Sequence, residues 1–163
     1  KSQFKETFDK INSNLNDTFR NLFGGGKASL ILEDENDILN TGIDIDVQPP
    51  GKSVKSIRLF SGGEKTLIAL CVLFTIIKVK PAPLIIFDEV EAALDQANVE
   101  RFAKYVKKFE DVSQFLIITH RPGTMAECDT LYGVTMQQRG VSQMLKVKLV
   151  DALEMADKSE VGE

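Results

Sequence analysis

The chain has no tryptophan, a single histidine, two cysteines and no apolar stretch long enough to cross a bilayer. Its longest apolar run, Leu67 to Ile77 with only Thr75 polar, falls well short of the roughly 20 residues that a spanning helix needs. Cys71 lies inside that run and Cys128 stands by itself, without CxxC spacing or a histidine cluster, so neither reads as a metal ligand and both read as reduced thiols. Lys1 to Lys10 alternate charged and apolar positions and lack the apolar centre and cleavage site of a signal peptide. A soluble, cytosolic protein is therefore expected. A phosphate-cradling loop of the form GxxxxGK[ST] is missing too: Gly26-Lys27 is followed by Ala28 and has no glycine five residues earlier, and Glu64 separates Gly63 from Lys65. With 20 basic and 24 acidic residues the net charge is -4, which leaves room only for a local basic patch and not for a surface that wraps nucleic acid.

What is present centres on Leu59 to Asp95. A glycine turn, Phe60-Ser61-Gly62-Gly63-Glu64-Lys65, opens an apolar helix, and Leu84-Ile85-Ile86-Phe87-Asp88-Glu89 follows. Ser61 with Glu64 three residues on is the pattern of a capping box, and the two glycines between them let a ligand approach bare backbone N–H groups. A helix start of this kind favours phosphate. An apolar strand ending in two carboxylates places negative charge at a sheet's carboxyl edge, where open α/β sheets hold ligands.

Taken in order, 163 residues with 43% hydrophobic content predict one core. Phe4, Phe8, Ile11, Leu15, Phe19 and Leu22 recur at steps of three and four, the pattern of an amphipathic or coiled-coil-like helix that Gly24-Gly25-Gly26 ends. Ala28 to Glu33 and Gly42 to Gln48 read as antiparallel strands with one wet face, joined by an acidic loop without calcium-loop spacing. A helix from about Gly63 to Lys80, apolar nearly all round, is expected to be covered on every side, and Leu84 to Phe87 to be a buried parallel strand. Val99 to Phe109 reads as a helix with Lys104, Lys107 and Lys108 on its solvated face. Phe115 to Thr119 is a second buried strand, parallel to the first because a helix connects them. Asp88, Glu89 and His120 are thereby expected at one edge. Thr124 and Glu127 match a capping box, Leu131 to Gln137 and Val141 to Leu149 a hairpin, and the residues from Asp151 a frayed polar tail.

Singly, Asp88-Glu89 after four apolar residues favours a site over a strand that merely ends in solvated acids, whereas His120 alone reads as a structural histidine and Ser61 to Glu64 alone as an ordinary helix cap. Their order at successive strand and helix ends is what points to a site. The carboxylates suit magnesium and water and the helix start suits phosphate, yet nothing cradles a nucleotide, so the chain reads as half of an active site.

The residues that carry these features resemble the carboxyl-terminal half of the ATPase head of SMC (structural maintenance of chromosomes) proteins, most like the bacterial chromosome-condensing kind. The resemblance runs from about Leu22 to Leu149 through Leu22-Phe23-Gly24-Gly25-Gly26, Gln48-Pro49-Pro50-Gly51-Lys52, Ser61-Gly62-Gly63-Glu64-Lys65, Asp88 to Asp95, Asn98-Val99, Thr119-His120-Arg121, Thr124-Met125 and Tyr132 to Met136. Phe60 stands where that family usually has leucine, and its side chain is expected to pack behind the turn. The resemblance implies an α/β fold, the carboxyl-terminal lobe of an ABC-type P-loop NTPase head, with parallel core strands, flanking helices and added antiparallel strands. It divides the chain into the end of a coiled-coil arm (1–22), the lobe (23–150) and a tail (151–163). It implies that Asp88 holds Mg2+ through water, that Glu89 is the general base, and that His120 contacts the γ-phosphate. Asp95 would lie in the loop that crosses to the other subunit, and Ser61, Gly62, Gly63 and Glu64 would form the signature that binds ATP held by a second head. It implies as partners the amino-terminal half of the head, a second head, a kleisin subunit and double-stranded DNA, in the cytoplasm on the nucleoid. Two alternatives stay open: an isolated lobe that only binds a kleisin, and the head lobe of a related coiled-coil DNA-repair ATPase.

Overall fold

The computed structural model describes residues 2–51 and 57–148. Helix α1 (Ser2–Phe23) ends where Gly24, Gly25 and Gly26 all take positive φ, at 74°, 146° and 89°, conformations that a Cβ disfavours. The chain then turns back as β1 (Lys27–Leu32) and β2 (Ile43–Gln48), an antiparallel pair in the register Ala28↔Val47 and Leu30↔Ile45. One edge of β1 is occupied by α1 itself. Asn12 both donates to the Leu30 carbonyl (3.0 Å) and accepts from its N–H (2.8 Å), and Asn16 accepts from the Ala28 N–H (3.2 Å). Asparagines one turn apart thus satisfy backbone groups that an edge strand leaves open.

After a single 3-10 turn (Ile57–Leu59) come α2 (Gly62–Val79), β3 (Leu84–Asp88), α3 (Gln96–Lys107), β4 (Gln114–Ile118), the one-turn α4 (Pro122–Met125) and the hairpin β5 (Leu131–Gln138) and β6 (Val141–Val147). Strands β3 and β4 are parallel, pairing Asp88 with Ile118. The core lies between α1, α2 and α3 and the inner face of β3–β4. Phe74 at its centre meets Phe87, Phe102, Tyr105 and Phe109, with ring centroids 6.0, 5.9, 5.2 and 5.7 Å away. Thr75, the one polar residue of the long apolar run, donates to the Cys71 carbonyl at 2.7 Å and so costs the core no unpaired hydroxyl.

Four expectations are corrected. Helix α2 is not covered on every side, because Leu73 and Ile76 reach solvent. The parallel strands are buried on one face only: Phe87 is in the core, while Leu84, Ile86, Leu116 and Ile118 on the other face are 49–60% exposed, since no described element lies over them. Thr124 caps nothing; α4 starts at Pro122 without a side-chain cap, and the Thr124 hydroxyl is directed to Glu91. Helix α3 begins three residues early, because Asp95 caps it by accepting from the Asn98 N–H at 2.9 Å. Of the three lysines expected on the solvated face of α3, Lys107 in the last turn lies 4.0 Å from Asp129 and Lys108, just past the helix, donates to Asn21 (3.0 Å). The stripe on α1 divides as well. Leu15, Phe19 and Leu22 are fully buried, whereas Phe4, Phe8 and Ile11 line an apolar groove of about 540 Å³ with Ile43, Ile45 and Val72. No helix among the described residues is long and apolar enough to cross a membrane. Part of the approach to the signature turn (52–56) and the expected tail from Asp151 lie outside the described residues.

Candidate functional site

Because β3 and β4 run parallel in step, both chains leave the sheet at the same edge, and Asp88, Glu89, Thr119 and His120 follow directly. Glu89 takes φ +48°, a left-handed conformation that costs a residue with a Cβ on the order of 1–3 kcal/mol. Two backbone bonds hold it there: its N–H donates to the Ile118 carbonyl (3.0 Å), and its carbonyl accepts from the Ala92 N–H (3.0 Å). This turn brings Glu89 Oε1 to 3.6 Å from His120 Nδ1, within ion-pair range but beyond a hydrogen bond, and both side chains are more than half exposed. The pair is therefore open to a water or a phosphate. Asp88, exposed at the last position of β3, has no ion pair among the described residues. No group of three or more potential ligands that could hold a metal occurs among them either. A lone, solvent-facing carboxylate fits Mg2+, which binds through one or two carboxylates together with waters and phosphates and not in an all-protein cage.

The predicted capping box is formed in full. The Glu64 N–H donates to Ser61 Oγ (3.3 Å), and Glu64 Oε2 accepts from the Ser61 N–H (3.1 Å) and hydroxyl (3.1 Å). Glu64 thus serves the helix start itself. Phe60 is buried behind the turn, as expected, and Ser61 and Gly62 face solvent. A Cβ on Gly62 would meet nothing within 4 Å, whereas one on Gly63 would lie 2.6 Å from the Ala93 carbonyl oxygen. The turn is therefore seated on the loop that follows Glu89 and presents its other side outward. Asp95, at the end of that loop, is held by Asn98, whose side chain donates to Oδ2 (3.0 Å) while its N–H donates to Oδ1.

The structure brings Glu89 and His120 together, sets Asp88 at the adjacent strand end, and joins the Ser61 turn to them through Ala93. Sequence reasoning missed Glu91, Thr119, Thr124 and Arg121. Glu91 is 0% exposed and accepts from Thr119 Oγ1 (2.5 Å) and Thr124 Oγ1 (2.9 Å). The only hint was an acid set among Val90, Ala92, Ala93 and Leu94 with a threonine on either side of His120. Elsewhere, burial pushes the Cys71 thiol far up, and burial, followed by Asp129, raises that of Cys128.

A family model described as the RecF/RecN/SMC N terminal domain matches residues 4–143. The chromosome partition protein Smc of Bacillus subtilis (strain 168) is 54% identical over 152 residues, which cover 93% of this chain and 13% of that protein. A solved chain from work on ATP-driven dimerization and DNA-stimulated activation of SMC ATPases superposes with a TM-score of 0.87 at 41% identity, covering 98% of this chain and 96% of that one. The Smc head domain of Pyrococcus furiosus, with an extended coiled coil and bound to the C-terminal domain of ScpA, superposes with a TM-score of 0.81 at 42% identity, over 96% of this chain and 39% of that one. The chain thus spans 13% of the length of the curated Bacillus relative.

Proposed function

The chain belongs to the SMC branch of the RecF/RecN/SMC family, and from that premise we propose that it is the carboxyl-terminal lobe of an ATPase head, one half of a composite site that hydrolyses ATP when two heads engage. The observation that carries this reading is the open face of β3–β4. A parallel sheet is ordinarily covered on both sides, and Leu84, Ile86, Leu116 and Ile118 form an exposed apolar face suited to burial under a second lobe of the same head. Although the matching family model is described as an N terminal domain, the missing GxxxxGK[ST] supports reading this chain as the half without the phosphate loop.

In this reading Glu89 orients and deprotonates the attacking water, and His120, 3.6 Å away, contacts the γ-phosphate and keeps the carboxylate aimed. Asp88 would hold Mg2+, which would supply charge neutralisation at the phosphate oxygens. Ser61 and Gly62, which face solvent, and Gly63 bind ATP held by the second head, with Asp95 in the loop that crosses between heads. Positioning and charge stabilisation supply most of the catalysis of phosphoryl transfer, so a site divided between subunits ties turnover to assembly. By similarity to the ScpA-bound head, the lobe also docks a kleisin, and the engaged heads act on DNA in chromosome partition on the nucleoid in the cytoplasm. Residues 1–22 form the base of the coiled-coil arm, whose open stripe at Phe4, Phe8 and Ile11 favours a further helix there. For the chain in isolation, the missing phosphate loop favours a second reading, a kleisin-binding module without turnover.

Ser61→Arg tests the assignment. In the complete head it is expected to spare ATP binding by a single head and abolish ATP-dependent pairing; pairing that survives removes the turn from its role.

A further inference from the structure

We propose that Glu91 is a positioning residue whose buried carboxylate fastens the His120 segment to the loop after Glu89, so that the outward turn at Gly63 and the Glu89–His120 pair move together. The inference rests on the composite-site reading above.

A carboxylate removed from water is costly unless it is well hydrogen-bonded or paired with a charge. Glu91 is fully buried, forms no ion pair among the described residues, and receives only two neutral donors, both at Oε1: Thr119 Oγ1 at 2.5 Å and Thr124 Oγ1 at 2.9 Å. Among the described residues, its Oε2 and the buried Nε of Arg121 have no hydrogen-bond partner. So costly a group is a poor choice for stability alone.

Its geometry shows what it holds. His120 is bracketed by two residues that are both tied to the loop: Thr119 through Glu91, and Arg121 through a bond from Nη2 to the Leu94 carbonyl (3.2 Å). Thr119 Oγ1 also accepts from the Arg121 N–H at 3.0 Å, which closes a small ring around the histidine backbone. The loop itself is stiff, with the Ala92 N–H on the Glu89 carbonyl (3.0 Å) and the Leu94 N–H on the Glu91 carbonyl (2.9 Å). Between these anchors, Ala93 presents the carbonyl against which Gly63 is seated. Three successive contacts, at Glu91, Ala93 and Leu94, therefore join the turn that meets the second head to the segment that carries His120. A displacement of the turn on engagement passes to Ala93 and, through Glu91, to Thr119 and His120. Without the carboxylate the turn still rests on Ala93, but the His120 segment keeps only the Arg121 anchor to the loop, and its coupling to the turn is loosened.

The test compares Glu91→Ala, Glu91→Gln and Thr119→Val in the full-length protein. Glu91→Gln keeps an oxygen where both hydroxyls donate and is the conservative rescue. Glu91→Ala and Thr119→Val are expected to lower kcat by about 10-fold to 10²-fold, the scale of a misplacement near 1 Å, with KM for ATP and the ATP-dependent dimer fraction unchanged. Glu91→Gln is expected to restore most of kcat. His120 is the one histidine of this sequence, so its Cε1–H resonance, assigned in the full-length protein by comparison with His120→Gln, is the imidazole signal to follow. Glu91→Ala is expected to move that signal and Glu91→Gln to leave it in place. Wild-type kcat in both disruptive variants, an unmoved imidazole signal, or a glutamine variant as impaired as the alanine one would each overturn the proposal. Should Glu91→Ala fail to fold, Thr119→Val, which preserves shape, carries the same readouts. Failure of the composite-site reading shows separately, as unchanged turnover in Glu89→Gln, while the imidazole signal still reports on Glu91.

Discussion

Replacing the two glycines of the signature turn with alanine separates the fold's needs from the ligand's. At Gly63 an added Cβ would lie 2.6 Å from the Ala93 carbonyl oxygen, where ordinary contact begins near 3.4 Å, so turn and loop must part by about 0.8 Å. The obstacle is backbone and cannot swing aside. At Gly62 the added methyl meets nothing within 4 Å of its own chain. There the substitution helps the helix, by up to about 1 kcal/mol of propensity, less at this first helical position than in the interior. Gly62→Ala is thus expected to unfold at an equal or slightly higher denaturant concentration than wild type, and still to lose ATP-dependent pairing in the complete head, because the methyl occupies the space a second head's nucleotide needs. Gly63→Ala is expected to lose pairing and also to impair turnover in any residual pairs by about 10²-fold, because the loop that carries Glu89 shifts with it. Denaturant unfolding of this chain and ATP-dependent dimer formation by the full protein measure the two effects independently. Normal pairing by Gly62→Ala would refute the claim that the outward side of the turn is a ligand surface.

Further outcomes follow from the same geometry. Glu89→Gln in the complete head is expected to keep ATP binding and lower turnover by roughly 10² to 10⁴ fold, measured as phosphate release under saturating ATP. The Cys71 thiol is pushed up by burial from an ordinary value of 9.0, so the folded chain keeps its proton at a pH where the unfolded chain has lost it. Its contribution is complete below about pH 9, and stability then falls by up to about 1.4 kcal/mol per pH unit above it; denaturant unfolding between pH 8 and pH 10.5 is expected to show that decline in wild type and a shallower one in Cys71→Ala.

Much of this was legible in the sequence because local rules governed it. Glycines with positive φ ended α1 where expected, alternation in Ile43 to Val47 marked β2, and Ser61 and Glu64 satisfied each other without help from elsewhere. The helix joining the two apolar runs made β3 and β4 parallel, which was enough to bring Glu89 to His120. What was not legible depends on partners distant in sequence. Apolar residues on both faces of β3 cannot say which face is covered within the chain, and Ile86 lies open while Phe87 is buried. Thr124 had the spacing of a cap, but an acceptor 33 residues away took its hydroxyl, and Pro122 set the helix start in its place. Glu91 was overlooked for the same reason, since a buried acid is defined by the donors around it and both lie beyond β4.

The central claim of the proposed function is that the carboxylates and histidine of this chain act together with a phosphate loop that these 163 residues do not contain. The most direct measurement is ATP turnover by this chain alone, and again after titration with the phosphate-loop half of the head. The account predicts no turnover alone and turnover that rises with formation of the complex and disappears in Glu89→Gln; turnover by the isolated chain, or none from a fully formed and paired complex, would contradict it.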